Sequence, residues 1–169
     1  VEVGARLGVN LFLPIHTRLP DQVHEFADAY WAGLKKHGHD SKSRSLGLLV
    51  PMHIAKTTAA AKARAEAGVM SYFKTILELR LDYTDWLNQR GVELPARLRT
   101  AAGAMVDYAT VCEKHAVIGD APFAVAKLQA LCERTSATQI LGWFNIGNMP
   151  HADVKDAMQR FAAEVMPNL

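Results

Sequence analysis

The sequence predicts an α/β fold in which parallel strands are each followed by a helix. Three observations predict it. Short apolar runs stand at 9–15, 45–55 and 139–144. Each is followed by a stretch whose apolar residues recur at helical spacing. Gly, Pro, Thr or Asp punctuates the joints between them. Strand–helix alternation of this kind implies a parallel sheet covered by helices. A doubly wound sheet and part of a (β/α)8 barrel both satisfy the pattern. A complete barrel needs about 250 residues, so 169 residues cannot form a whole one.

The opening VEVGARLG reads as the end of a helix stopped at Gly8. The chain starts at Val1 rather than Met, so it is expected to be the later portion of a longer polypeptide. Val9–Ile15 suits a buried parallel strand, with Pro14 at its C-terminal end, where a missing N–H matters least. Pro20 fits a first helical turn, and Val23, Phe26, Ala27, Tyr30, Trp31 and Leu34 form one stripe ending near Gly38. Ser45–Ala55 is the second strand. Thr57 or Thr58 then caps an Ala-rich helix to about Leu81. The stretch 82–114 is less regular and is expected to hold one or two helices outside the strand–helix rhythm. At Val117–Pro122, Asp120 is the expected N-cap of a helix reaching Arg134, with Val125, Leu128, Leu131 and Cys132 on one side. Gln139–Phe144 is the third strand and Asn145–Met149 a loop. A last helix opens at Pro150, carries Val154, Ala157, Met158, Phe161, Ala162 and Val165, and ends at Pro167.

One domain is expected over residues 1–169. Half of the residues are hydrophobic and about a fifth are charged, as in soluble globular proteins. A net charge of +2 with no Lys/Arg cluster gives no basis for a nucleic-acid or membrane-surface partner. No apolar run approaches the ~18 residues of a membrane helix. Cys112 and Cys132 lie far apart in no metal-type spacing, so buried thiols in a reducing cytoplasmic compartment are expected.

Three stretches add a resemblance. GVNLFLPI with the following LKKHGHD, then LLVPMHIAKTTAAAKARAEAGVMSYF, then VIGDAPFAVAKL with GWFNIGNMPHADVKDAMQRFAAEVMP, resemble in order and spacing the C-terminal half of the luciferase-like flavin-dependent monooxygenases. Residues 82–116 match least and correspond to an irregular helical insertion. The resemblance implies the C-terminal part of a (β/α)8 TIM-type barrel. It also implies a monooxygenase that uses reduced FMN and molecular oxygen on a small organic substrate. A separate flavin reductase would supply the reduced FMN, and such barrels commonly pair as homodimers. The family's phosphate-binding hydroxyl residues would fall before Val1. Two other readings stay open: a deazaflavin-dependent oxidoreductase of the same fold, and a non-catalytic flavin-binding or dimerising half-barrel.

Barrel sites lie at the C-terminal ends of strands. The resemblance therefore points to Pro14, Ile15 and His16 after the first strand, and to Asn145 and Gly147 after the last, as cofactor-binding candidates. No catalytic residue is assigned. Each candidate has a plainer structural account. His16 reads as an exposed loop histidine, and Gly147 as a turn residue with positive φ. His53 near the second strand's end reads as a satisfied structural histidine, and Trp143 as core. Asn148 lies in the same loop. His37, His39 and Asp40 resemble a metal cluster, but a glycine-capped helix end explains them, and no third ligand of matching spacing stands near. No metal is expected. The sequence holds no Gly-rich phosphate loop and no nucleophile elbow.

Overall fold

The computed structural model describes residues 1–93 and 107–169. Its elements are α1 (Glu2–Leu7), β1 (Leu11–Pro14), α2 (Pro20–Lys36), β2 (Leu46–Ile54), α3 (Thr58–Asn88), α4 (Tyr108–Thr110, continuing as a π turn Val111–His115), β3 (Val117–Gly119), α5 (Ala121–Thr135), β4 (Gln139–Trp143) and α6 (His151–Arg160). A π turn, Phe161–Val165, and a 3-10 turn, Met166–Asn168, extend α6.

β2 is the centre of the sheet. Eight of its nine residues are buried, as a strand covered on both faces should be. The other strands all pair with it in parallel. The Leu11 N–H donates to the Ser45 carbonyl and the Thr138 N–H to the Leu46 carbonyl. Neighbouring residues of a strand bond to opposite edges, so β1 and β4 flank β2. Among the described residues β3 pairs with Met52–Ile54, beyond the Gly47–Pro51 stretch that β4 engages.

The parallel strand–helix alternation is as the sequence predicts, but the strand order is not that of a simple barrel arc. Such an arc would set β4 beside β3, whereas here it lies beside β2. β3 itself was not expected as a strand. Three residues carry no periodic signal, and it is recognised only by its burial and its pairing.

Pro51 explains how β1 ends. The Ile15 N–H donates to the Leu49 carbonyl. The next donor along that edge of β2 would be residue 51, and proline has none. The ladder stops there, and the chain turns away carrying His16.

The helices mostly follow their stripes. Val23, Ala27, Tyr30 and Leu34 of α2 are buried, and the Tyr30 hydroxyl donates to the Val9 carbonyl at 2.9 Å. The Trp31 indole N–H reaches the Thr135 carbonyl at 2.9 Å, tying α2 to the end of α5. On α5 the buried line is Ala121, Ala124, Leu128 and Thr135, rotated from the expected one. On α6, Val154 and Ala157 are buried, but Met158 is exposed. α3 passes Leu81 and runs to Asn88, so its 31 residues extend about 46 Å. Residues 82–88 are therefore helix rather than irregular chain. The remainder of that expected irregular stretch is partly α4, and 94–106 lie outside the described residues.

Asp120 joins two helix starts. Its carboxylate accepts the Phe123 N–H at 3.1 Å, capping α5, and the Thr58 hydroxyl at 2.9 Å at the start of α3. Asp120→Ala is expected to lower stability by about 1–2 kcal/mol, the range of a lost N-cap. A urea midpoint equal to that of the unmodified chain would remove this role.

Candidate functional site

The C-terminal ends of β1 and β4 bring three rings together. His16 follows β1, Trp143 closes β4, and Tyr72 projects from the fourth turn of α3. The His16 and Trp143 ring centres are 5.2 Å apart, His16 and Tyr72 5.7 Å, and Tyr72 and Trp143 4.9 Å. All three pairs meet edge to face, the arrangement that places positive ring edges on negative ring faces. Phe73 continues the group 5.4 Å from Tyr72, and His115 stands 6.4 Å from Phe73.

His16 is not the exposed loop residue expected. It is only 7% exposed, because the rings of Tyr72 and Trp143 cover it. Its Nδ1 is buried without a hydrogen-bond partner among the described residues. Burial drives its pKa down to about 4, helped by the positive fields of His115 and Arg80. At neutral pH the ring is therefore uncharged, with one nitrogen able to donate and the other to accept. His115 is 6% exposed and also has an unpartnered Nδ1. Burial lowers its pKa, opposed by the nearby backbone at Ile15 and Arg18. Burial likewise raises the Tyr72 phenol.

The other sequence candidates divide. Ile15 is buried and Pro14 half-buried beside His16, so both belong to the wall of the site. The Asn145 side chain lies exposed, while its carbonyl accepts the Trp143 indole N–H at 2.8 Å and so fixes that ring. Gly147 has φ 58, as a turn glycine should, and packs against α3. A Cβ at this position would overlap the Gly68 carbonyl. Asn148 is exposed. His53 is 1% exposed and neither ring nitrogen has a partner among the described residues, so it is not the satisfied histidine expected. Burial lowers its pKa. The His39 ring donates to the Arg6 carbonyl at 2.9 Å, a helix-to-loop tie.

Tyr72, Phe73 and His115 were missed in the sequence. The only available signal was an aromatic pair interrupting an Ala-rich helix. Nothing in the sequence linked His115 to the end of β1.

A separate open groove of about 880 Å³ lies at the other end of the sheet, between Trp31, Lys35, His39, Asp40 and Ser136. Its walls include no unpartnered buried imidazole, whereas the ring cluster has two. Chemistry therefore favours the cluster over the groove.

No protein-family model and no curated protein matches this sequence. Solved structures do match. The monooxygenase RslO1 from Streptomyces bottropensis aligns over 98% of this chain and 44% of its own, at 16% identity and a TM-score of 0.66. The oxygenating constituent of 3,6-diketocamphane monooxygenase from Pseudomonas putida, in complex with FMN, aligns over 99% and 45%, at 14% identity and 0.66. The coenzyme F420 dependent tetrahydromethanopterin reductase from Methanopyrus kandleri aligns over 98% and 47%, at 16% identity and 0.62. The resemblance read from the sequence is thus borne out as a likeness of fold. The chain spans less than half the length of each of these structures. No described helix is long and apolar enough to cross a membrane.

Proposed function

We propose that this chain is part of a flavin-type oxidoreductase, and specifically of a monooxygenase that uses reduced FMN and molecular oxygen on an organic substrate. The observation that carries the reading is the ring cluster at the ends of β1 and β4. Beside its aromatic surfaces lies a buried imidazole with an unused Nδ1. A planar heterocycle with carbonyl and N–H edges fits both features. Its faces suit aromatic neighbours, and its edge can pair with His16. The likeness of fold to enzymes that use FMN or a deazaflavin supports the same class.

His16, Tyr72 and Trp143 would hold the ring, with Pro14 and Ile15 completing an apolar wall. Asn145 and Gly147 act at one remove, by fixing Trp143 and seating the loop on α3. The reduced flavin would supply the electrons for oxygen chemistry. The protein's part is to bind and orient the ring and to keep water out. An uncharged His16 suits that part, because a buried cation would draw water in.

The reading includes a separate flavin reductase, a homodimeric enzyme and a cytoplasmic setting. Two free thiols, Cys112 and Cys132, support a reducing compartment. Phe12 and Leu141, which lie on one face of the sheet by register and are 49% and 39% exposed, support pairing.

Titration of the chain with reduced FMN under anaerobic conditions, followed by tryptophan fluorescence, tests the reading. Saturable quenching is expected through Trp143. His16→Ala should weaken binding about tenfold, the worth of roughly one hydrogen bond. Quenching by the deazaflavin alone would favour the second reading, hydride transfer without oxygen, which the F420-dependent neighbours support. Binding of neither would sink both and leave a non-catalytic role.

A further inference from the structure

We propose that Lys127 is a positioning residue for this site. Its ammonium clamps the turn that carries His115 and, through the neighbouring rings of His115, Phe73 and Tyr72, steadies the rings that cover His16. The geometry stands alone, while the binding readout below rests on the flavin reading.

Lys127 lies on α5 and reaches back to the π turn that ends α4. Its Nζ donates to the carbonyls of Cys112 at 2.8 Å, Glu113 at 2.7 Å and Ala116 at 2.8 Å. An ammonium has three donors and no acceptor. All three are thus spent on five residues of chain, and His115 is inside that span. Helices end in carbonyls without intrahelical partners, and a positive charge is favourable there. Cys112 and Ala116 are buried, so water cannot readily replace the ammonium. An apolar side chain at 127 would leave these carbonyls unmet.

His115 passes the constraint on. Its ring stands 6.4 Å from Phe73, whose ring meets Tyr72, and Tyr72 in turn meets His16. The path from Lys127 to His16 therefore runs from ammonium to turn to imidazole, and then through the rings of Phe73 and Tyr72.

Lys127→Met and Lys127→Arg test this, with histidine ring titrations by NMR and reduced-FMN affinity measured well below the melting temperature. In Lys127→Met, His115 should titrate closer to its ordinary value of 6.5. FMN should bind about five- to tenfold more weakly, the scale of a lost charge-assisted hydrogen bond. Lys127→Arg, which keeps the charge, should fall between. A lower melting temperature with the His115 titration unmoved would mean a cap and nothing more, and would overturn the proposal. If Lys127→Met does not fold, the arginine variant and the unmodified chain decide. Three carbonyls should slow exchange of the Lys127 ammonium protons with water, and rapid exchange overturns the clamp. If the unmodified chain binds no flavin, the functional reading falls while the His115 titration still judges this one.

Discussion

Gly147→Ala should destabilise the protein by about 2–5 kcal/mol, a large part of the roughly 5–15 kcal/mol that holds a domain together. Two costs add. The residue sits at φ 58, where a Cβ costs about 1–2 kcal/mol. The new methyl would also meet the backbone carbonyl of Gly68 on α3, and the amide of Tyr72 lies only 3.3 Å away. Backbone cannot move aside as a flexible side chain can, so overpacking adds about 1–3 kcal/mol. Gly38→Ala isolates the first cost. Gly38 has φ 73, yet among the described residues nothing lies within 4 Å of where a Cβ would stand. Urea unfolding of the two variants should show a clearly larger loss at position 147. Equal losses would mean that the loop and α3 separate freely. The contact would then not be what holds the last strand's loop beside Tyr72, and the site would lose one of its supports.

That contact also illustrates what a sequence can and cannot reveal. Gly147 was readable as a turn residue from its loop alone. Its partner Gly68, 79 residues earlier, was not, because a glycine in an Ala-rich helix shows no preference for any distant loop. The stripes on α2 and the cap at Asp120 were legible because helix periodicity and capping are local. β3 was not, since Val117–Gly119 becomes a strand only by pairing with Met52–Ile54. The last two turns of α3, residues 82–88, escaped for the opposite reason. Tyr83 and Trp86 are exposed and Leu87 alone of that stretch is buried, so no buried stripe marked it as helix. In the site, strand ends pointed to Pro14, Ile15 and His16 and to Asn145 and Gly147, whereas Trp143 reads from the sequence as core. Tyr72 and His115 came from a helix and a turn whose approach depends on the whole packing. The burial of His16 follows from that approach and could not be read in advance.

The burial of His16 has a measurable consequence in acid. Its ring titrates near 6.5 in the unfolded chain and at about 4 in the folded one. As pH falls below 6.5, the unfolded chain takes up a proton that the folded protein refuses, so unfolding becomes easier. The loss should begin below about pH 6.5 and be complete near pH 4, amounting to about 3 kcal/mol. Above 6.5 both states are neutral at this residue, and stability should be flat with respect to it. His53 and His115 are shifted the same way by burial and steepen the fall. Asp120 has its pKa held down by hydrogen bonds from Phe123 and Thr58. Its contribution is lost only as pH drops through the acid range below 3.8, which separates it from the histidines. Urea unfolding from pH 8 to pH 4 measures the slope directly. His16→Phe keeps an aromatic ring against Tyr72 and Trp143 but cannot titrate, so it should flatten the curve by about the same 3 kcal/mol. An unchanged slope in that variant would show that His16 is open to water in the folded chain. The enclosed, uncharged imidazole on which the flavin reading depends would then not exist.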